Sequence, residues 1–107
     1  MAWLLLVLAG AFETAFAISL KLSEGFSRPA WTISFGVFAV ASFALLATAL
    51  KTLPIGTAYA VWTGIGAVGT AVVGMLVFSE AATVGRLVSI GLVVAGVVGL
   101  QLTSSGH

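Results

Sequence analysis

The sequence predicts an all-α membrane protein with four transmembrane helices per subunit, and three observations lead there. Hydrophobic residues fill 61% of the 107 positions and charged residues only 7%, too little polar surface to coat a water-soluble globule of this size. The apolar residues fall into four runs of about 20, each long enough as a helix to cross about 30 Å of hydrocarbon. Six of the seven charged side chains lie between those runs: Lys21, Glu24 and Arg28 in the first gap, Lys51 in the second, Glu80 and Arg86 in the third. The whole chain, 1–107, therefore reads as one transmembrane domain with no separate soluble catalytic module.

The first helix is expected over residues 2–20, ending in a polar stretch where Gly25 serves as a turn residue. A secretory signal is the competing reading of this segment, since Ala15-Phe16-Ala17 resembles a cleavage site. Against it, no Lys or Arg precedes the apolar run, a glutamate interrupts it, and three more spans follow. Pro29 suits the first turn of a second helix over 29–50. Lys51-Thr52-Leu53 is a very short link, which makes the second and third helices antiparallel neighbours. Pro54 opens the third helix, 54–78, where Gly64 and Gly66 permit a kink or a close backbone approach in mid-membrane and form a candidate conformational hinge. In the fourth helix, 86–102, Gly91, Ala95 and Gly99 recur every four residues and so line one face. Such a small-residue face suits self-association, although glycine and alanine are common throughout the chain.

Composition also excludes several classes of function. A net charge of +1 with no basic stripe gives nothing for nucleic acid to bind. Cysteine is absent, which removes disulfides and thiolate ligands, and the single histidine, His107, is terminal and cannot by itself form a metal site. No cofactor is implied, and no nucleophile–base pair marks an enzyme. Lys21, Arg28 and Arg86 on one side of the membrane against Lys51 and the amino terminus on the other is a weak bias, so insertion in both orientations is expected.

The remaining charge, Glu13, lies near the middle of the first span. An ionisable group at that depth points to a functional site. A buried carboxylate is costly unless it takes up a proton or binds a cation. A group that does either, but not both at once, couples the two. The alternative is a protonated Glu13 hydrogen-bonded to a neighbouring helix as a packing element.

Leu6, Ala9, Gly10, Phe16 and Ala17 share the face of Glu13 at spacings of three, four and seven. The small ones leave a volume beside the carboxylate or serve helix packing. On the third helix Tyr59, Trp62, Thr63 and Gly66 lie on one face. The Trp62 N–H and Tyr59 O–H need partners, a role a carboxylate fills, and aromatic rings attract cations; interhelical packing is the alternative for each. Ser42, with Ala39 and Phe43, lines a gap between helices through which an apolar substituent can protrude. Four short helices cannot both enclose and seal a polar cavity, whereas a dimer can, with two Glu13 carboxylates titrating as a coupled pair. Opposite orientation of its subunits then gives inverted-repeat symmetry and alternating access.

Ala11-Phe12-Glu13, the loop Lys21-Leu22-Ser23-Glu24-Gly25-Phe26-Ser27-Arg28, and above all residues 51–66 (KTLPIGTAYAVWTGIG) resemble the small multidrug resistance transporters from end to end. The long motif is more similar to the guanidinium-exporter subtype than to the polyaromatic-cation subtype. The resemblance implies a bacterial inner-membrane, multi-pass, dual-topology antiparallel dimer, homodimeric or with a paralogous partner, exchanging guanidinium for protons. It also implies that Glu13 is the shared proton and substrate site, with Ser42, Tyr59 and Trp62 in its hydrogen-bond network. Two positions depart from that pattern: Phe16 stands where a tryptophan is usual, removing one indole donor, and Gln101 replaces a lysine. The competing readings are an exporter of quaternary ammonium or other hydrophobic cations, and a non-transporting membrane assembly subunit.

Overall fold

Local sequence sets where each helix begins and ends in the computed structural model, which describes residues 1–103; residues 104–107, and His107 with them, lie outside the described residues. The elements are α1 (Ala2–Leu22), α2 (Pro29–Ala49), α3 (Ile55–Val77) and α4 (Val84–Thr103). All four are long and apolar enough to cross a membrane, and no strand occurs among the described residues. The all-α, four-span class expected from composition is thus the observed one.

Each end has a local cause. α1 runs past Lys21, whose charge suits the helix C-terminus. The chain then turns through Glu24, Gly25 and Phe26, all at positive φ. Fully buried Ser23 holds this turn, donating to Leu20 O at 2.7 Å and accepting from Phe26 N at 3.1 Å. Arg28 is extended, as the residue before a proline must be, and Pro29 starts α2. Pro54 precedes α3 as its N-cap and does not lie inside it. α4 starts at Val84, two residues ahead of the expected 86, because Thr83 Oγ1 accepts from Arg86 N at 3.2 Å and caps the helix.

Packing centres on α1, which lies against both α2 and α3, while α4 packs on α3 alone. The short 51–53 link does leave α2 and α3 in contact, through Ser42 and Phe43 against Trp62, but only sparingly; each packs more extensively on α1. The core gathers Leu6, Ala9, Leu46, Ala49, Ala58, Val61 and Trp62, toward the end where α2 hands over to α3. α3 is unbroken through Gly64 and Gly66. A Cβ on Gly64 would lie 2.6 Å from Val97 Cγ2, so this glycine lets α4 approach. α4 buries no residue; Gly91 and Ala95 are exposed and Gly99 is half-buried.

Candidate functional site

Three side chains of the α1–α3 seam are seated in glycine notches. A Cβ on Gly10 would meet the Ile65 side chain, one on Gly66 would fall on the Glu13 carboxylate, and one on Gly69 would fall on Thr14 Oγ1. Absence of a side chain at these positions is what brings the two backbones together. Glu13 thus rests on the α3 backbone in mid-membrane. Its Oε1 is buried and accepts no hydrogen bond among the described residues. A packing role as a hydrogen-bonded carboxyl finds no partner for this oxygen within the subunit's described residues.

From Glu13 a cleft of about 410 Å³ runs along the seam, within the size range of small-molecule sites. Glu13, Ala17 and Lys21 line it at four-residue intervals on α1, and Gly66, Thr70 and Gly74 do so on α3. Its mouth is charged. Arg86 Nη2 donates to Glu80 Oε1 at 2.6 Å, Lys21 Nζ stands 5.3 Å from the centroid of the Phe78 ring, and Gly74 makes room for the Glu80 carboxylate. The ion pair Arg28–Glu24 lies apart, in the α1–α2 loop.

One turn earlier on both α1 and α3, Trp62 Nε1 donates to Ser42 Oγ at 2.9 Å, and Ser42 Oγ donates to Ala9 O at 2.6 Å. Both residues are buried. The carboxylate partner expected for Trp62 is therefore replaced within the subunit by Ser42, which α2 presents to both α1 and α3. Tyr59 is exposed, with its ring against Trp62 at 5.4 Å, and takes part in no hydrogen bond with Glu13 among the described residues. Phe43 links Trp62 (5.4 Å) to Phe16 (6.0 Å), and Phe16 meets Phe35 edge-on at 5.8 Å. The result is an aromatic wall spanning all three helices. Leu6 and Ala9 are core residues, Ala17 lines the cleft, Ala39 is half-buried, and Thr63 faces outward, exposed.

Sequence reasoning did not single out Thr14, Ile65, Gly69 or the mouth residues. The spacing of Gly66 and Gly69 is the signal that matched Glu13 and Thr14, but it is visible only once α1 and α3 are known to be partners.

Ser42→Ala is expected to leave the Trp62 N–H buried and unpaired and to destabilise the protein by about 1–2 kcal/mol. Adding Trp62→Phe to it should recover part of that loss, as read from thermal unfolding in detergent.

The family described as Small Multidrug Resistance protein matches residues 1–93. The chain belongs to this family. Members of the Small Multidrug Resistance family similar to it include the guanidinium exporter of Yersinia pseudotuberculosis, 55% identical over 97% of this chain and 100% of the relative. Those of Salmonella typhi and Citrobacter freundii, also guanidinium exporters, are 51% and 49% identical, each over 97% of this chain and 99% of the relative. As a family member with four spanning helices, the protein is a transporter and not an enzyme, multi-pass in the bacterial inner membrane.

Proposed function

We propose that this protein exports guanidinium, or small substituted guanidinium cations, in exchange for protons, with both ligands competing for Glu13. The observation that carries this reading is the buried Glu13 oxygen without a hydrogen-bond partner at the inner end of the cleft. Support comes from relatives of matching length named guanidinium exporters. Guanidinium suits the site chemically, being planar, permanently charged, and able to donate two parallel hydrogen bonds to one carboxylate. A protonated Glu13 has no charge to offer it. Entry of one ligand therefore expels the other.

The working unit is an antiparallel dimer that brings two Glu13 carboxylates into one site, so that proton release belongs to the pair. The exposed Gly91 and Ala95 with Gly99 are the face offered for self-association, and Gly64 and Gly66 are the hinge. In the dimer Tyr59 and Trp62 extend the site, and Ser42 orients Trp62 through the bond they share. Export of quaternary ammonium cations is the second reading. The aromatic wall of Phe16, Phe43 and Trp62 favours it, because it offers rings and no indole donor at position 16.

Transport currents in proteoliposomes distinguish the two. Guanidinium is expected to drive current well above that of a tetra-alkylammonium at equal concentration. A tetra-alkylammonium current with none for guanidinium would reverse the assignment.

A further inference from the structure

Thr14, next to Glu13, presents its hydroxyl to two backbone acceptors. Its Oγ1 lies 3.2 Å from Gly66 O on α3 and 3.4 Å from Gly10 O one turn back on α1. A hydroxyl carries one proton, so only one of these bonds is complete at a time. The bond to Gly66 ties α1 to the residue on which Glu13 rests, and the bond to Gly10 is a local i−4 bond that leaves α3 free. Because the local acceptor is always present, breaking the cross-helix bond never strands the hydroxyl in hydrocarbon, where an unpaired polar group is costly.

The packing is as specific as the bonding. Glu13 and Thr14 are consecutive on α1, and their notches, Gly66 and Gly69, are three residues apart on α3 and so lie on neighbouring turns of one face. A shift of the seam that moves Glu13 out of its notch must move Thr14 out of its own.

We infer that Thr14 is a positioning residue for the exchange site: its hydroxyl bond to Gly66 holds Glu13 against α3, and its transfer to Gly10 accompanies movement of Glu13 when one ligand replaces the other. This rests on the reading of Glu13 as the exchange site. Loss of the bond loosens the seam that seats Glu13, and so weakens the link between release of a proton and arrival of a cation.

The test is the number of protons moved per guanidinium in proteoliposomes holding the full chain. Thr14→Val keeps the shape and removes the hydroxyl; it is expected to lower this coupling ratio about threefold or more, equivalent to about half a logarithmic unit. Thr14→Ser is expected to restore it to within about twofold, because the same oxygen is present. Ser19→Ala removes a different interhelical bond of α1, the 2.8 Å contact with Ser34 Oγ, and is expected to leave the ratio at the wild-type value. A wild-type ratio in Thr14→Val, or an equal fall in Ser19→Ala, would overturn the inference. If Thr14→Val does not assemble, Gly69→Ala displaces the same oxygen by adding a methyl group opposite it. The same fall is expected there, and a wild-type ratio in that variant overturns the inference equally. Absence of guanidinium-driven proton movement in the wild type would instead refute the proposed function.

Discussion

Glu13→Gln is expected to reduce guanidinium-driven proton movement about a hundredfold or more, which corresponds to about 2.7 kcal/mol. The amide nearly matches the carboxylate in shape, so the Gly66 notch stays filled and the helices keep their packing. What disappears is the ability to carry a proton or a negative charge. Measurements across pH sharpen the prediction. A protonated carboxyl does not pair with guanidinium, so in the wild type the apparent affinity falls as pH falls through the titration of the pair. The slope is about tenfold per pH unit where one proton leaves per cation, and steeper where both carboxyls release theirs. Glu13→Gln should show neither binding at the wild-type level nor this slope. Guanidinium binding that releases no protons in the wild type would remove the exchange mechanism.

Gly66→Ala is the second large effect, and it acts through the same atoms from the opposite helix. The added methyl carbon would occupy the place of the Glu13 carboxylate. The carboxylate is the far end of a flexible side chain, so it is expected to leave the seam and the fold to survive, with a cost of about 1–3 kcal/mol from overpacking. Exchange should fall about tenfold, equivalent to about 1.4 kcal/mol. Gly36→Ala is the control, since a Cβ there meets nothing within 4 Å. Gly66→Ala with full coupled transport would show that the seam position of Glu13 has no part in exchange.

Much of the fold was legible in the chain because the bilayer imposes a simple rule: backbone groups in hydrocarbon must bond internally, so apolar runs of about 20 residues become helices. Glu13 was legible as a candidate site for the same reason, being the one charge near the middle of a span. Partner choice was not legible. Nearly uniform apolar helices have no strongly marked face, so neither the central position of α1 nor the attachment of α4 to α3 alone could be read from spacing. Trp62 shows the limit clearly. Its need for a hydrogen-bond partner follows from its chemistry, but that the partner within the subunit is Ser42 depends on α2 reaching across to α1 and α3.

Residue chemistry and hydrocarbon thickness thus suffice for four spans, charged loops and one intramembrane carboxylate. Tertiary structure decides the rest: that Glu13 is seated on Gly66, that Thr14 bridges beside it, and that Glu80, Arg86 and Lys21 stand at the mouth of its cleft. The reason is physical. In lipid, helices associate through close contact of small residues and a few polar bonds, and which notch receives which side chain depends on the register of one helix against another.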